Sequence, residues 1–314
     1  MAQPIVSIVM PTFNRMEFLP ATVESVLRQT MREWELIVAD DGSDQTTLHY
    51  LEGLTRDERV RLLRLKRSGN PGAVRNAGIA AARGALLAFL DSDDLWAPNK
   101  LERQLAALRA NRECRWSYTA FLMVDADGTP LSSERTRPWT PHGGEIFVQI
   151  VRGTASIRLP SVLATTDFVR EAGGFDEAID RSEDYDLWLR LALQSPVCVV
   201  DEPLLRVRRH PSNENREPGS AHLARDYSLR KLAGQLSGAQ RALLMEERSR
   251  NALAMAAEVA ARGERRRSAA IVWGSLPFSW RYPHWWLGAA KALARACLRI
   301  QRGRATSNGT GTRG

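Results

Sequence analysis

Residues 86–94 read Leu-Leu-Ala-Phe-Leu-Asp-Ser-Asp-Asp, an apolar run that stops in three carboxylates around one serine. A run this short and apolar on both faces fits a strand buried inside a parallel sheet. A sheet of that kind carries helices on both faces and presents its ligand-binding side chains at the carboxyl edge. Asp91, Asp93 and Asp94 repel one another there, and a hard, oxygen-preferring cation such as Mg2+ or Mn2+ would relieve that repulsion. The plainer alternative is an acidic loop that caps the next helix.

The text on either side alternates as βαβ units do. Residues 5–10, 34–39 and 59–66 are β-rich, residues 17–29 and 71–83 have helical spacing, and 85–90 is the buried strand. This pattern predicts an α/β fold with a mostly parallel, doubly wound, Rossmann-like sheet. Further on we expect a helix from 98 to about 110, a strand over 115–124 and a hairpin turn at 125–128. Residues 129–160, rich in Pro, Gly and Thr, suit a mobile loop over a site. A short helix over 166–172, a Gly173-Gly174 turn and a helix from Glu183 follow. The polar stretch 212–220 reads as a boundary. The remainder reads as helical, with Arg262-Gly263 as a helix end and Pro283 in the first turn of a last helix.

Composition narrows the class. The 314 residues are 44% apolar and 25% charged, as in a soluble globular protein, and no apolar run approaches the ~20 residues that span a bilayer. The N-terminal residues lack a basic signal-peptide start, so the expected location is the cytoplasm. Cys114, Cys198 and Cys297 are too widely spaced for a disulfide framework or a zinc pattern and read as free thiols. Charge is uneven: residues 220–314 hold 17 Lys and Arg against 5 Asp and Glu, or +12, and the first 219 hold 27 against 31, or −4. An acidic body is joined to a basic tail.

Three further turns follow predicted strands or precede a helix. Pro11-Thr12-Phe13-Asn14-Arg15 contains neither Gly-x-Gly-x-x-Gly nor a phosphate-loop lysine, which excludes both of those nucleotide sites. Asp40-Asp41-Gly42-Ser43 offers carboxylates that can accept hydrogen bonds from a ribose or base, or it is a plain Asp-Gly turn. In Gly69 to Gly78, small residues permit close backbone approach and Arg75 can offer a planar fork to phosphate.

With these turns in order, the chain resembles the family 2 inverting glycosyltransferases of GT-A fold. The resemblance lies in residues 6–14, 39–43, 72–78 and 89–96, and continues through Gly173-Gly174-Phe175-Asp176-Glu177 and residues 182–190, so that it spans roughly 4–211. It implies that Pro11, Thr12, Phe13, Asn14, Asp40 or Asp41, and Ser92 hold the donor nucleotide, with Arg75 near the diphosphate. It implies that Asp91 and Asp93 form the Asp-x-Asp metal signature, with Asp94 behind them or as an alternative ligand, and that His210 closes the site over the cation and diphosphate. Asp184 is then the base that accepts the acceptor proton, with Glu183 as second choice. Without the resemblance, Glu183-Asp184 is an acidic first helical turn.

The implied domains are a nucleotide-sugar-binding half (1–110), an acceptor or catalytic half of the same GT-A domain (111–212), a basic, Trp-rich helical appendage (220–302) and a disordered tail (303–314). The implied reaction is metal-dependent (Mn2+ or Mg2+) and inverting. It moves one sugar from a nucleoside-diphosphate sugar to a hydroxyl of a glycan or lipid-linked glycan, as cell-surface polysaccharide synthesis requires. The absence of Gln-x-x-Arg-Trp argues against processive synthesis. Rivals are a sugar-phosphate nucleotidyltransferase, which should carry a Gly-rich basic loop where Pro11 to Asn14 stand, and a catalytically silent nucleotide-sugar-binding subunit.

In the appendage, Trp273, Trp280, Trp285 and Trp286 cluster, and Lys291, Arg295, Arg299 and Arg302 recur at helical spacing opposite Trp286, Leu293, Cys297 and Ile300. Such a helix suits the anionic inner face of a membrane, giving a peripheral location. It suits equally a helix packed on the body with its cations in water. No nucleic-acid module accompanies the charge, so no nucleic-acid partner is expected.

Overall fold

The computed structural model describes residues 3–131, 139–179, 182–210 and 219–292. The chain divides into two compact units, residues 1–215 and 216–314.

In the first unit, β1 (Val6–Thr12), β2 (Trp34–Asp40), β3 (Val60–Arg64) and β4 (Leu86–Phe89) lie side by side in the order β3-β2-β1-β4, all parallel. Their interiors are mostly apolar where both faces are covered: Ile8, Val9, Leu36, Ile37, Leu87 and Phe89 expose nothing, and the buried polar Ser7 donates to Glu35 at 2.6 Å. The helices between them are α1 (Leu19–Leu27), α2 (Gln45–Leu54) and α3 (Pro71–Ala81). Asp44 caps α2 by accepting from the Thr47 amide at 2.8 Å, and Asn70 caps α3 by accepting from the Ala73 amide at 3.1 Å. Gly78 brings α3 onto the sheet: a Cβ there would stand 2.4 Å from Val9 Cγ1.

Beyond β4 the sheet turns mixed. β5 (Leu95–Trp96) and α4 (Lys100–Ala110) lead into β6 (Trp116–Val124), α5 (Phe147–Arg152), β7 (Leu163–Thr165), α6 (Thr166–Glu171), α7 (Glu183–Ala192) and β8 (Val197–Arg208). The eight-stranded order is β3-β2-β1-β4-β7-β6-β8-β5. β7 runs antiparallel to both β4 and β6, and β6 is parallel to β8. Two reversals therefore return β6 and β8 to the direction of β4. The last residues of β8 emerge at the same edge as those of β1, β2 and β4.

This is the α/β, GT-A type sheet expected from the sequence, its parallel half intact and its second half mixed. The long β8, the helix α2 and the short α5 were not expected; α5 lies within the span read as an irregular loop. That span is pinned where it is described. Tyr118 Oη donates to the His142 carbonyl at 2.9 Å and accepts from its amide at 3.0 Å.

Lys100 is fully buried at the start of α4, with Nζ 2.7 Å from Gln104 Oε1 and 4.1 Å from the Trp96 ring centroid. Burial pushes its amine well below the usual lysine range. Cys114 and Cys198 are free thiols whose side chains meet; burial first, and then Cys114, push the Cys198 thiol up to about 12. Cys297 lies outside the described residues.

The second unit contains α8 (Ser220–Ala233), α9 (Gly238–Ala261), α10 (Arg265–Ser279) and a helix, α11, described over 283–292. Its core gathers Ala256, Val272, Trp285, Ala289 and Ala292. Trp285, grouped in the sequence with the other tail tryptophans, belongs to this core and donates to Ser275 Oγ at 2.9 Å. Of the expected basic and apolar stripes, Lys291 and Trp286 lie within the described residues; Leu293, Arg295, Cys297, Arg299, Ile300 and Arg302 lie outside them. No described helix is long and apolar enough to cross a membrane.

Candidate active site

Four strand ends and one helix N-terminus supply the side chains at the carboxyl edge. At the end of β1, Thr12 Oγ1 is buried without a hydrogen-bond partner, and Pro11 pairs in register with Ala39 of β2. Phe13 projects from the turn, 37% exposed, with the Arg67 guanidinium 3.6 Å from its ring centroid. Asn14 adopts a left-handed φ of 50°. That conformation lets it donate its amide to Ser43 Oγ at 3.0 Å and accept the Asp44 amide at 2.8 Å. The turns after β1 and β2 are thus zipped together.

At the end of β2, Asp40 accepts the Ser43 amide at 3.2 Å. Asp41 accepts from Arg67, from the Ser68 amide at 2.7 Å, the Ser68 hydroxyl at 2.9 Å and the Gly69 amide at 2.9 Å. These donors, with the Arg67 charge, outweigh burial and hold its carboxyl below the usual aspartate value.

The end of β4 is the opposite case. Asp93 meets His210 Nε2 at 3.0 Å, and burial together with the Asp91 charge pushes its carboxyl up. Asp94 is buried, accepts the Arg208 amide at 2.9 Å, and is pushed well up by burial and by Asp93 and Asp91. Ser92 is buried between them. His210 is held by Phe18, whose ring stacks on it at 4.5 Å, and Arg208 Nη1 donates to the Asp93 carbonyl at 3.1 Å. β8 brings His210 to Asp93 across 117 positions of sequence.

Arg75 is buried on α3 and forks between two carboxylates: Nη1 pairs with Glu183 and Nη2 donates to Asp91 at 2.7 Å. The guanidinium that the sequence offers to a diphosphate is thus engaged with Asp91 and Glu183. Glu183, at the start of α7, is buried in that pair. Its neighbour Asp184 is partly buried and accepts its Tyr185 neighbour's amide at 2.9 Å. Burial and the Glu183 charge, opposed by Arg75, push Asp184 up to about 6. Ser182, just before it, has a left-handed φ of 60°.

The turn 173–177 hangs from α3. Asn76 accepts the Phe175 amide at 2.9 Å and donates to the Phe175 carbonyl at 2.9 Å, and a Cβ on Gly174 would stand 2.7 Å from Asn76 Oδ1. From the other side, Arg190 of α7 donates to the Gly174 carbonyl at 2.7 Å and pairs with Asp186 at 2.7 Å. Within 72–78, then, Gly78 packs α3 on the sheet and Asn76 holds the Phe175 turn.

Residues 7–141 match the family described as Glycosyl transferase family 2. An uncharacterised glycosyltransferase of Rickettsia bellii is 33% identical over 208 residues, which cover 66% of this chain and 29% of that protein. Residues 7–141 are thus a stretch of family 2 glycosyltransferase sequence. The Escherichia coli enzyme WfgD, named as a UDP-Glc:alpha-D-GlcNAc-diphosphoundecaprenol beta-1,3-glucosyltransferase, is 42% identical over 108 residues, 34% of this chain and 42% of WfgD. The chain thus spans less than half the length of either relative. In fold, the chain is similar to Staphylococcus aureus TarS 1–349, with a TM-score of 0.70 at 16% identity, over 95% of this chain and 91% of TarS 1–349.

Among the described residues no three His, Cys, Asp or Glu side chains form a cation cage. The donor set at β4 nevertheless fits a divalent cation of the kind that takes its remaining ligands from phosphate. Such ions are held by one or two carboxylates plus substrate oxygens, and imidazole beside carboxylate suits Mn2+. Asp93 and His210 are that pair, with the carboxyls of Asp91, paired to Arg75, and Asp94 close behind them.

Proposed function

We propose that this chain transfers a single sugar from a nucleoside-diphosphate sugar to a hydroxyl of a glycan or lipid-linked glycan, with inversion at the anomeric carbon. The observation that carries the reading is Asp184: a carboxylate pushed up to about 6, at a helix start beside the acidic edge of the sheet. A base with that value is mostly ionised at pH 7 and still strong enough to take a hydroxyl proton. The E. coli relative, whose name states a nucleotide-sugar donor and a diphosphoundecaprenol acceptor, supports the substrate class.

In this reading the nucleoside lies against the zipped turns of Pro11 to Asn14 and Asp40-Asp41, with Ser92 at the floor. Asp93 and His210 would hold Mn2+ or Mg2+, which supplies Lewis-acid stabilisation of the departing diphosphate. Asp184 takes the acceptor proton as the acceptor oxygen bonds to the anomeric carbon. The bond from that carbon to the phosphate oxygen breaks on the opposite face, and its electron pair leaves with the nucleoside diphosphate. Arg75, fixed between Asp91 and Glu183, keeps the cation side and the base side in register. Glu183, already ion-paired, is the poorer base. The location that suits a lipid-linked acceptor is peripheral, at the inner membrane face.

A panel of UDP-, GDP- and dTDP-sugars tests the proposal. Mn2+-dependent donor hydrolysis or thermal stabilisation by at least one of them is expected, and no response to any would overturn it.

A further inference from the structure

The second unit exposes an apolar aromatic surface that its own core does not use. Trp273, Trp280, Trp286 and Leu287 are 64%, 51%, 55% and 68% exposed. Trp273 and Trp280 are seven residues apart, two turns along the line of α10, and so share one side of it. Trp286 joins them: its Nε1 donates to the Trp280 carbonyl at 2.9 Å. Arg281 lies over Trp280, its guanidinium 5.1 Å from the ring centroid. Large aromatic side chains grouped this way are costly to leave in water and mark an interaction surface.

The charge around them selects the partner. From residue 265 to 314 the sequence has ten Lys and Arg and no Asp or Glu. Indole rings with a polar N–H and an apolar body settle at the boundary between headgroups and acyl chains, and cations beside them meet anionic lipid. A protein partner would need a matching acidic face; a bilayer supplies both properties at once.

We infer that Trp273, Trp280, Trp286 and Leu287 insert into the headgroup boundary of an anionic bilayer, with Arg281 and Lys291 contacting lipid phosphate. The inference deepens the peripheral location proposed above and names the residues that make it. The tryptophans enter by their exposed edges; Trp285 stays in the core, bonded to Ser275.

The test is cosedimentation of the full chain with vesicles of phosphatidylcholine alone and of phosphatidylcholine with phosphatidylglycerol, at low and high salt. We expect binding to the anionic vesicles that salt weakens. The variant Trp280→Ser/Trp286→Ser/Leu287→Ser should bind about a hundredfold more weakly, and Arg281→Glu/Lys291→Glu about thirtyfold more weakly. The second variant, which leaves the aromatic residues in place, carries the test should the first fail to fold. Donor hydrolysis should be unchanged in both, which separates failure of this inference from failure of the proposed transferase reaction. Equal vesicle binding by wild type and variants overturns it. So does a wild-type dimer that the same substitutions dissolve while vesicles go unbound, or binding to RNA or DNA without binding to vesicles.

Discussion

Asp41 and Asp93 stand at the ends of two parallel strands two places apart in the sheet, and their surroundings differ in kind. Asp41 receives an arginine, two backbone amides and a hydroxyl, so its charge is answered from within the protein. Asp93 has His210 and is crowded by Asp91 and Asp94. A strand-end carboxylate that the protein satisfies is framework, shaping the turn that a ligand leans on. One that it leaves crowded, with its ionisation opposed, suits the cation proposed there.

The largest test bears on Asp184, the proposed base. Asp184→Asn should keep donor binding, measured by calorimetry, and lower transfer by about 10²–10⁴-fold. Unchanged turnover would remove Asp184 from the reaction. Asp93→Ala should come next, weakening Mn2+-dependent donor binding by about 10–100-fold while metal-free donor affinity stays the same. In the wild type, kcat should fall tenfold per unit of pH below about 6, the value to which Asp184 is pushed, because only the ionised carboxylate accepts the proton. A flat profile there would contradict the assignment.

Stability should separate the two corners by sign. Asp41→Asn gives up charge-assisted hydrogen bonds at a buried site and should cost about 2–3 kcal/mol in a denaturant melt. Its folded value lies below the unfolded one, so the stabilisation it brings is present at neutral pH and is lost as pH falls through the acid range. Asp94 is the reverse: its folded value lies above the unfolded one, so stability falls as pH rises past the ordinary aspartate value near 3.9. In EDTA, Asp94→Asn should therefore melt no lower than wild type at pH 8, with a difference that shrinks toward pH 4. The smallest effect belongs to Lys100→Met, which exchanges a buried amine for an apolar side chain. It should raise the melting temperature at pH 7, with a gain that fades as pH approaches the ordinary lysine value near 10.4.

The parallel half of the sheet was legible because its signal is local. β1, β2 and β4 are runs of mostly apolar residues on both faces, closed by a polar turn. α2 escaped because it buries little: Thr47 and Leu51 are buried, and Leu48, Tyr50 and Leu54 only partly so. β8 escaped because Asp201, Glu202 and Pro203 interrupt it, and the structure absorbs the interruption as shifts in its register with β6. At the site, residue types could be read from the sequence but their partners could not. Nothing near Asp41 announces Arg67, which arrives from the loop after β3, and nothing near Arg75 announces that its fork closes on Asp91 and Glu183. The tail shows the same limit: four tryptophans look alike in sequence, and packing sends Trp285 inward while Trp273, Trp280 and Trp286 stay out.

The clamp between Asn76 and the Gly174-Phe175 turn has a consequence for how such chains can diverge. A side chain at position 174 would need the space that Asn76 Oδ1 fills, and one at 78 the space of Val9. Drift at either glycine must therefore be matched by its opposite number, and across a lineage positions 76 and 174, and 9 and 78, should change in pairs or stay put.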